Sequence, residues 1–291
     1  QSDETVIDGP GLIVVNEKFG VAVATSNPTT EFTENLVQLI QPNIANAYRE
    51  NGSSTANLMF SYGYQWKGNN TKFPFKPGTK LKVKPARINF NGDGKTYVET
   101  NSQYFYDSHY NDGTPVPSMS QIKFLTDHIQ KTTGIDMSDY DVALNNIYRK
   151  NESVFRHTDI DESDEARNYP VVVYVLGNEH NVRVANPEDG SRAMGEIVNP
   201  VNIGLGNGEI YTFGLNGKGR FEAVHDTVKS IEKSIEFPEI TLPDGTKTKN
   251  YTISFTFRRA ADLNGAPISP KIIDITSDQS GQKYDNGTIG C

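Results

Sequence analysis

Short stretches in which apolar and polar residues alternate recur along most of this chain, and a period of two is the signature of half-buried strands. Residues 11 to 25, Gly-Leu-Ile-Val-Val-Asn through Val-Ala-Val-Ala-Thr, predict two short strands around the charged turn Asn16-Glu17-Lys18. From Thr30 to Glu50 the period changes: Phe32, Leu36, Leu39, Ile40, Ile44 and Ala47 fall at roughly helical spacing and predict a helix. Asn51 to Pro117 is rich in Gly, Asn, Pro and Tyr, with short alternating pieces of which Lys80-Leu-Lys-Val-Lys is the clearest, so strands joined by long loops are expected there. A second, amphipathic helix is predicted over Ser118 to Gly134. Ser118 or Ser120 caps it, Ile122, Leu125 and Ile129 form its inner stripe, and Gly134 follows its end.

Beyond that helix the pattern is β-rich at intervals: Val142 to Tyr148, Phe155 to Asp159, Val171 to Leu176, Asn181 to Val184, Glu209 to Phe213, Phe221 to Val224 and Tyr251 to Arg258. Strands with turn signals and no helices between them indicate an antiparallel sandwich or barrel, and a jelly roll fits best. The glycines of Gly204-Leu-Gly-Asn-Gly are followed by the strand pattern Glu-Ile-Tyr-Thr-Phe and not by a helix, so they predict a turn, not a nucleotide-binding loop. The tail after Ala260 is polar and is expected to be peripheral.

Composition narrows the class. With 291 residues, 35% hydrophobic and 10% aromatic, the chain can bury a sizeable core. No run approaches the roughly 18 apolar residues of a membrane helix, and Gln1-Ser2-Asp3-Glu4 has neither a basic start nor an apolar core. A soluble, intracellular protein of the cytoplasm or nucleus, monomeric and with no membrane partner, is the expectation; a first residue other than Met points to a trimmed chain. The single cysteine, Cys291, excludes an internal disulfide framework and a cysteine-based zinc site, and a reducing compartment is the simplest fit.

The net charge of −8 argues against bulk electrostatic coating of nucleic acid, but its distribution alters that picture. Asn51 to Gly92 holds seven basic residues (Lys67, Lys72, Lys76, Lys80, Lys82, Lys84, Arg87) and no acid, which leaves −15 on the rest.

Five histidines are present, His109, His128, His157, His180 and His225. In His157-Thr158-Asp159 an imidazole and a carboxylate lie two residues apart. On a strand they share one face at about 7 Å backbone separation, close enough to meet on one ion. Alone the triplet is common by chance, and a third ligand must come from elsewhere.

Taken in order, Asn146-Ile-Tyr148, His157-Thr-Asp159-Ile-Asp161-Glu162, Pro170-Val-Val-Val-Tyr-Val-Leu-Gly177, Gly208-Glu-Ile-Tyr-Thr-Phe, His225 and Ser254-Phe-Thr-Phe-Arg258 closely resemble the AlkB-like branch of the Fe(II)/2-oxoglutarate dioxygenases, over about residues 118 to 260. The resemblance implies an α+β, β-rich fold: a double-stranded β-helix, or jelly-roll, core with supporting helices packed on one sheet. It implies a metal triad of His157, Asp159 and His225, with Fe(II), 2-oxoglutarate and O2 as cofactor and co-substrates. Two imidazoles and a carboxylate on one side of an octahedral ferrous ion leave three positions open, which suits oxygen activation. The division expected is a supporting segment at residues 1–50, a basic and aromatic substrate lid at 51–117, the catalytic core at 118–260 and a peripheral tail at 261–291.

A dianionic co-substrate calls for a guanidinium anchor. Thr252, Ser254, Thr256 and Arg258 share one face of the last strand and Ile253, Phe255 and Phe257 the other, which makes Arg258 the inward candidate and Arg259 an outward residue. Asn146 and Tyr148 match the family's amide and phenol contacts to the keto acid, and Ser254 joins them on the inward face. One departure stands out. The family usually carries a second arginine six positions before Arg258, where this chain has Thr252. Lys249 is a possible substitute. The stretch between His225 and Arg258 carries an insert around Pro238 to Lys249, whose Pro243-Asp-Gly predicts a hairpin on the surface.

Asp161 and Glu162 reproduce the family's Asp-x-Asp-Glu, whose second aspartate faces the exocyclic amine of the target base, as a carboxylate can. The plainer alternative is a solvated acidic loop. Lys80, Lys82 and Lys84 share a strand face, and Tyr62, Tyr64, Trp66, Tyr97, Tyr104, Phe105 and Tyr106 flank the region. Cations for phosphate beside rings for stacking fit an enzyme acting on nucleotides, with Asp161, Tyr104, Tyr106, Trp66, Lys82 and Lys84 as substrate contacts. Lysines protecting an edge strand are the alternative. The function this implies is oxidative demethylation of N-methylated bases in DNA or RNA, as in DNA repair. The competing readings are a hydroxylase of a protein side chain or base methyl group with the same iron chemistry, and a catalytically silent jelly-roll binding module.

Overall fold

The computed structural model describes residues 11–48, 57–67, 71–75, 80–81, 85–90, 96–100, 105–110, 112–154, 156–159, 164–191, 196–229, 235–259 and 273–274. In chain order the N-terminal elements are β1 (Ile13–Asn16), β2 (Val21–Thr25), α1 (Thr30–Ile44) and β3 (Leu58–Tyr62). Short strands follow: β4 (Gln65–Lys67), β5 (Thr71–Phe75), β6 (Lys80–Leu81), β7 (Pro85–Phe90), β8 (Thr96–Thr100) and β9 (Phe105–Asp107). The remainder comprises α2 (Lys123–Thr133), β10 (Val142–Tyr148), β11 (Val171–Gly177), β12 (His180–Ala185), β13 (Val201–Leu205), β14 (Glu209–Phe213), β15 (Val224–Thr227), β16 (Ile240–Thr241), β17 (Lys247–Thr248), β18 (Thr252–Arg258) and β19 (Ile273–Asp274).

Seven strands form the major sheet in the order β1-β2-β14-β11-β18-β10-β3, each pair antiparallel. The minor sheet, β13-β12-β15, faces it. The apolar run of β11 explains how both faces of the major sheet are covered. Val172, Tyr174 and Leu176 join a core with Leu36, Ile40 and Ile44 of α1 and Leu125 and Ile129 of α2. Val171, Val173 and Val175 join a second core with Val182, Val184, Ile203 and Leu205 of the minor sheet. β18 obeys the same alternation, with Ile253, Phe255 and Phe257 on the helix side, so its polar positions are turned toward the minor sheet. The helices therefore pack on one sheet, and the space between the sheets receives the polar chemistry.

Several local expectations needed correction. The first helix stops at Ile44, short of Glu50: Pro42 removes a donor from its last turn, and Tyr48 is instead tied to Met59 by two backbone hydrogen bonds of 2.9 and 2.8 Å. The second helix is preceded by a 3₁₀ turn, Met119–Ile122, capped by Ser118, and ends at the left-handed Gly134 as expected. Residues 156–159 are not a strand, since His157 makes only an isolated bridge to His225. The strand expected at Phe221 to Val224 lies later, at β15, and β13 ends in the glycine segment expected to be only a turn. Within Lys80 to Lys84, Lys80–Leu81 form a strand paired with β19, and residues 82–84 lie outside the described residues. The β16–β17 hairpin exists, yet it is no mere surface excursion: Ile240 and Leu242 enter the helix-side core. The Gln41 amide clasps Thr241 with two hydrogen bonds of 2.9 Å. β3, within the segment expected to form a lid, is the edge strand of the major sheet. No helix among the described residues is long and apolar enough to cross a membrane.

Candidate metal centre

The two histidines meet because their backbones are paired. His157 N–H donates to the His225 carbonyl at 3.0 Å, and His225 N–H donates to the His157 carbonyl at 2.9 Å. Residues paired in this way across an antiparallel bridge carry their side chains on the same face. The rings lie 4.2 Å apart between centroids. Val154 N–H donates to Thr227 Oγ1 at 2.7 Å, which fastens the approach to His157 onto β15. A bridge thus accomplishes what a full strand was expected to do.

Asp159 completes the group. Its Oδ1 lies 3.9 Å from His157 Nε2 and 3.8 Å from His225 Nε2. One ligating atom from each of the three residues lies within 4.8 Å of the others. His225 Nδ1 is 3.0 Å from the Ala223 carbonyl and donates to it, which leaves the Nε2 lone pair turned to the carboxylate side. Burial pushes His225 down to about 3, with His157 adding in the same direction, so the imidazole is neutral at pH 7. Burial opposes ionisation of Asp159, but Arg258, His225 and Arg220 outweigh it and hold the carboxyl well below its ordinary range. Neutral His225 and ionised Asp159 are in the forms a divalent metal requires, and with His157 the donor set fits ferrous ion.

The other carboxylate oxygen has a different task. Asp159 Oδ2 accepts from Arg258 Nη2 at 3.2 Å and from Arg220 Nη1 at 3.3 Å. Arg258 is buried on the polar face of β18, as the alternation predicts. Arg220 escaped sequence reasoning. It follows Gly-Lys-Gly in what looks like a surface turn, yet its side chain is 0% exposed. Its Nε donates to the Tyr169 carbonyl at 2.9 Å, and its guanidinium lies 5.3 Å from the Phe221 ring centroid. Gly214, with φ +78°, permits this path: a Cβ there would lie 2.6 Å from Arg220 Cδ.

The expected co-substrate residues lie on the strands flanking this centre. Asn146 accepts from Asn57 Nδ2 at 2.8 Å and pairs across strands with Ser254. Tyr148 is buried, its phenol hydrogen-bonded to Ser254 and Thr227, and burial keeps it protonated. Lys249 does not substitute for the second arginine. It is half-exposed and paired with Glu236 at 3.6 Å. Arg259 faces outward, donating to the Asp139 carbonyl at 2.7 Å.

The expected substrate contacts are less completely described. Asp161, Glu162 and Tyr104, like Lys82 and Lys84, lie outside the described residues. Trp66 is half-buried and packs with Tyr64 against Val142, at the end of β10 that pairs with Arg258, and its backbone pairs with Tyr106. Tyr62, expected to flank the substrate region, lies in the helix-side core, where it accepts from Asn43 Nδ2 at 2.6 Å.

No protein-family model matches the sequence, and no curated protein matches it. Solved structures do. OsALKBH1 is similar with a TM-score of 0.53 and 15% identity, over 85% of this chain and 99% of that one. A prolyl-4-hydroxylase from Pseudomonas putida aligns with a TM-score of 0.36 and 13% identity, over 83% of this chain and 93% of its own. A 2OG-Fe(II) oxygenase family protein from Burkholderia pseudomallei gives 0.39 and 12%, over 85% and 87%. At 15% identity the OsALKBH1 comparison speaks for the fold. The chain thus shares the β-rich, jelly-roll fold of the AlkB homologue OsALKBH1, with His157, Asp159 and His225 grouped where they could hold a metal ion.

Proposed function

We propose that this chain is an Fe(II)/2-oxoglutarate-dependent oxygenase that demethylates N-methylated nucleobases in DNA or RNA. The observation that carries the reading is the division of labour at Asp159: Oδ1 faces two imidazoles while Oδ2 is held by two buried guanidiniums. His157, Asp159 and His225 would hold the ion. With iron, 2-oxoglutarate and O2 bound, one oxygen atom enters the N-methyl C–H bond and the other leaves in succinate as CO2 is lost, and the N–CH2OH product expels formaldehyde. Arg258 supplies positive charge for a keto-acid carboxylate beside the centre. Asn146, Tyr148 and Ser254 offer neutral hydrogen bonds along the same pair of strands. The protonated Tyr148 phenol can donate to an anion.

The nucleobase assignment rests on charge and rings. Residues 51 to 92 carry cations without acids, and Trp66 lies against the strand end that reaches Arg258. Phosphate neutralisation beside an aromatic surface is what recognition of an extruded base needs. The proposal assigns Asp161 to the base amine and Tyr104, Tyr106, Lys82 and Lys84 to the strand around it.

The test is incubation with oligonucleotides carrying N-methylated adenine or cytosine, with His157→Ala as control. Formaldehyde and unmodified base in equal amounts support the reading. A hydroxylated product without formaldehyde assigns the hydroxylase alternative, and failure to bind Fe(II) anaerobically assigns a silent binding module.

A further inference from the structure

This inference rests on the reading of 2-oxoglutarate as co-substrate and concerns how its second carboxylate is held. A keto diacid needs an anchor at both ends. Arg258 lies at the metal end, beside Asp159. Thr252 is six residues earlier on the same strand face, about 20 Å away at the backbone, so long side chains from both positions would be needed to embrace a small diacid. Thr252 is too short, and its hydroxyl is engaged, donating to the Asn178 carbonyl at 2.9 Å.

The cations near that end are turned away. Along β15, His225 and Thr227 point between the sheets, and Asp226 alternates to the outer side. There Asp226 binds Arg183 at 2.6 Å and Arg156 at 3.3 Å. What the inner side offers instead is a group of neutral polar side chains: the hydroxyls of Tyr148, Ser254 and Thr227, joined by hydrogen bonds, and the buried imidazole of His180. The His180 ring lies 5.0 Å from the Tyr148 ring, and Tyr148 is the cross-strand partner of Thr252. His180 is four positions from Val184, the partner of His225, or about 13 Å along the strand. It stands apart from the metal ligands, at the end the missing arginine would serve.

We propose that His180, with the hydroxyls of Tyr148, Thr227 and Ser254, holds the distal carboxylate of 2-oxoglutarate, and that His180 takes up a proton as the diacid binds. Burial alone pushes the imidazole down to about 4, so it is neutral before the ligand arrives. A carboxylate beside it favours the charged form. Among the described residues, the titratable or charged side chains on the inner side are Tyr148 of β10, Tyr211 of β14, His225 of β15 and Arg258 of β18, with Asp159 paired to the last two. Glu179, next in sequence, is exposed. Tyr148 and Tyr211 stay protonated through burial.

The experiment is anaerobic calorimetric titration of the Fe(II)-loaded protein with 2-oxoglutarate and with 2-oxobutyrate, which lacks the distal carboxylate, in two buffers of different ionisation enthalpy. The native chain is expected to take up as much as one proton with 2-oxoglutarate and none with 2-oxobutyrate. The preference for 2-oxoglutarate over 2-oxobutyrate should weaken as pH rises from 6 to 9. His180→Leu and His180→Gln should lose 2-oxoglutarate affinity on the order of 10- to 100-fold with 2-oxobutyrate unchanged. Equal losses for both ligands, or 2-oxoglutarate binding without proton uptake in the native chain, overturn the inference and leave the oxygenase reading standing. Binding of neither keto acid overturns both.

Discussion

Arg220 Nη1 lies 3.3 Å from Asp159 Oδ2 across 61 residues of sequence, while the other oxygen, Oδ1, is the one that faces His157 and His225 and that the proposed metal site would use. A carboxylate that ligates through one oxygen rotates unless the second is held. Two guanidiniums at Oδ2 hold it, and both are buried, so their interaction is weakly screened.

Arg220→Met is therefore expected to weaken Fe(II) or Mn(II) affinity on the order of 10- to 100-fold, as losses of such outer partners do. Arg220→Lys, which keeps charge but not the fork, should fall between. Gly214→Ala, placing a methyl against Arg220 in a left-handed backbone, is expected to cost stability, about 1 kcal/mol or more, and metal affinity together. Metal titration alongside circular dichroism checks all three, and unchanged affinity in a folded Arg220→Met protein would refute the positioning role.

His180 also sets a pH dependence of stability in the metal-free protein. Its folded value is depressed to about 4 from the ordinary 6.5, so the unfolded chain binds the extra proton. The stabilisation is fully present above about pH 6.5 and is lost as pH falls toward 4. Urea midpoints measured across that window should fall less steeply for His180→Gln than for the native chain.

Asn145 points into the helix-side core between Phe60 and Phe255, its cross-strand partners, and neither amide atom has a hydrogen-bond partner among the described residues. A buried amide without partners costs on the order of 1–3 kcal/mol, and an apolar residue of similar shape does not incur it. Asn145→Leu is expected to raise the melting temperature with metal affinity unchanged. The structure provides no reason for asparagine at this position.

Lys82 and Lys84 bear on the substrate. If they neutralise phosphates, replacing both with glutamine should lower affinity for a methylated oligonucleotide and reduce the slope of log affinity against log salt by about 0.7–0.9 for each phosphate left without its lysine. Binding that is unchanged in both respects would remove this pair from the proposed interface.

The sequence by itself determined whatever depends on local period. Alternation in β18 separates Ser254 and Arg258 from Phe255 and Phe257, and it does so whatever the partner strands are, because successive side chains in extended backbone point to opposite sides. Capping at Ser118 and termination at Gly134 are equally local. The ordered motif from Asn146 to Arg258 likewise pointed to His157, Asp159 and His225, which the fold brings together. Tertiary structure decided the rest. His157 is held by a bridge to His225 and not by a strand of its own, a pairing that joins positions far apart in the chain. Arg220 looks like a turn residue until folding buries it on Asp159. Lys249 looks available until it is found at the surface with Glu236. Burial and charge partnership arise from which segments meet, and a linear pattern carries no information about that meeting.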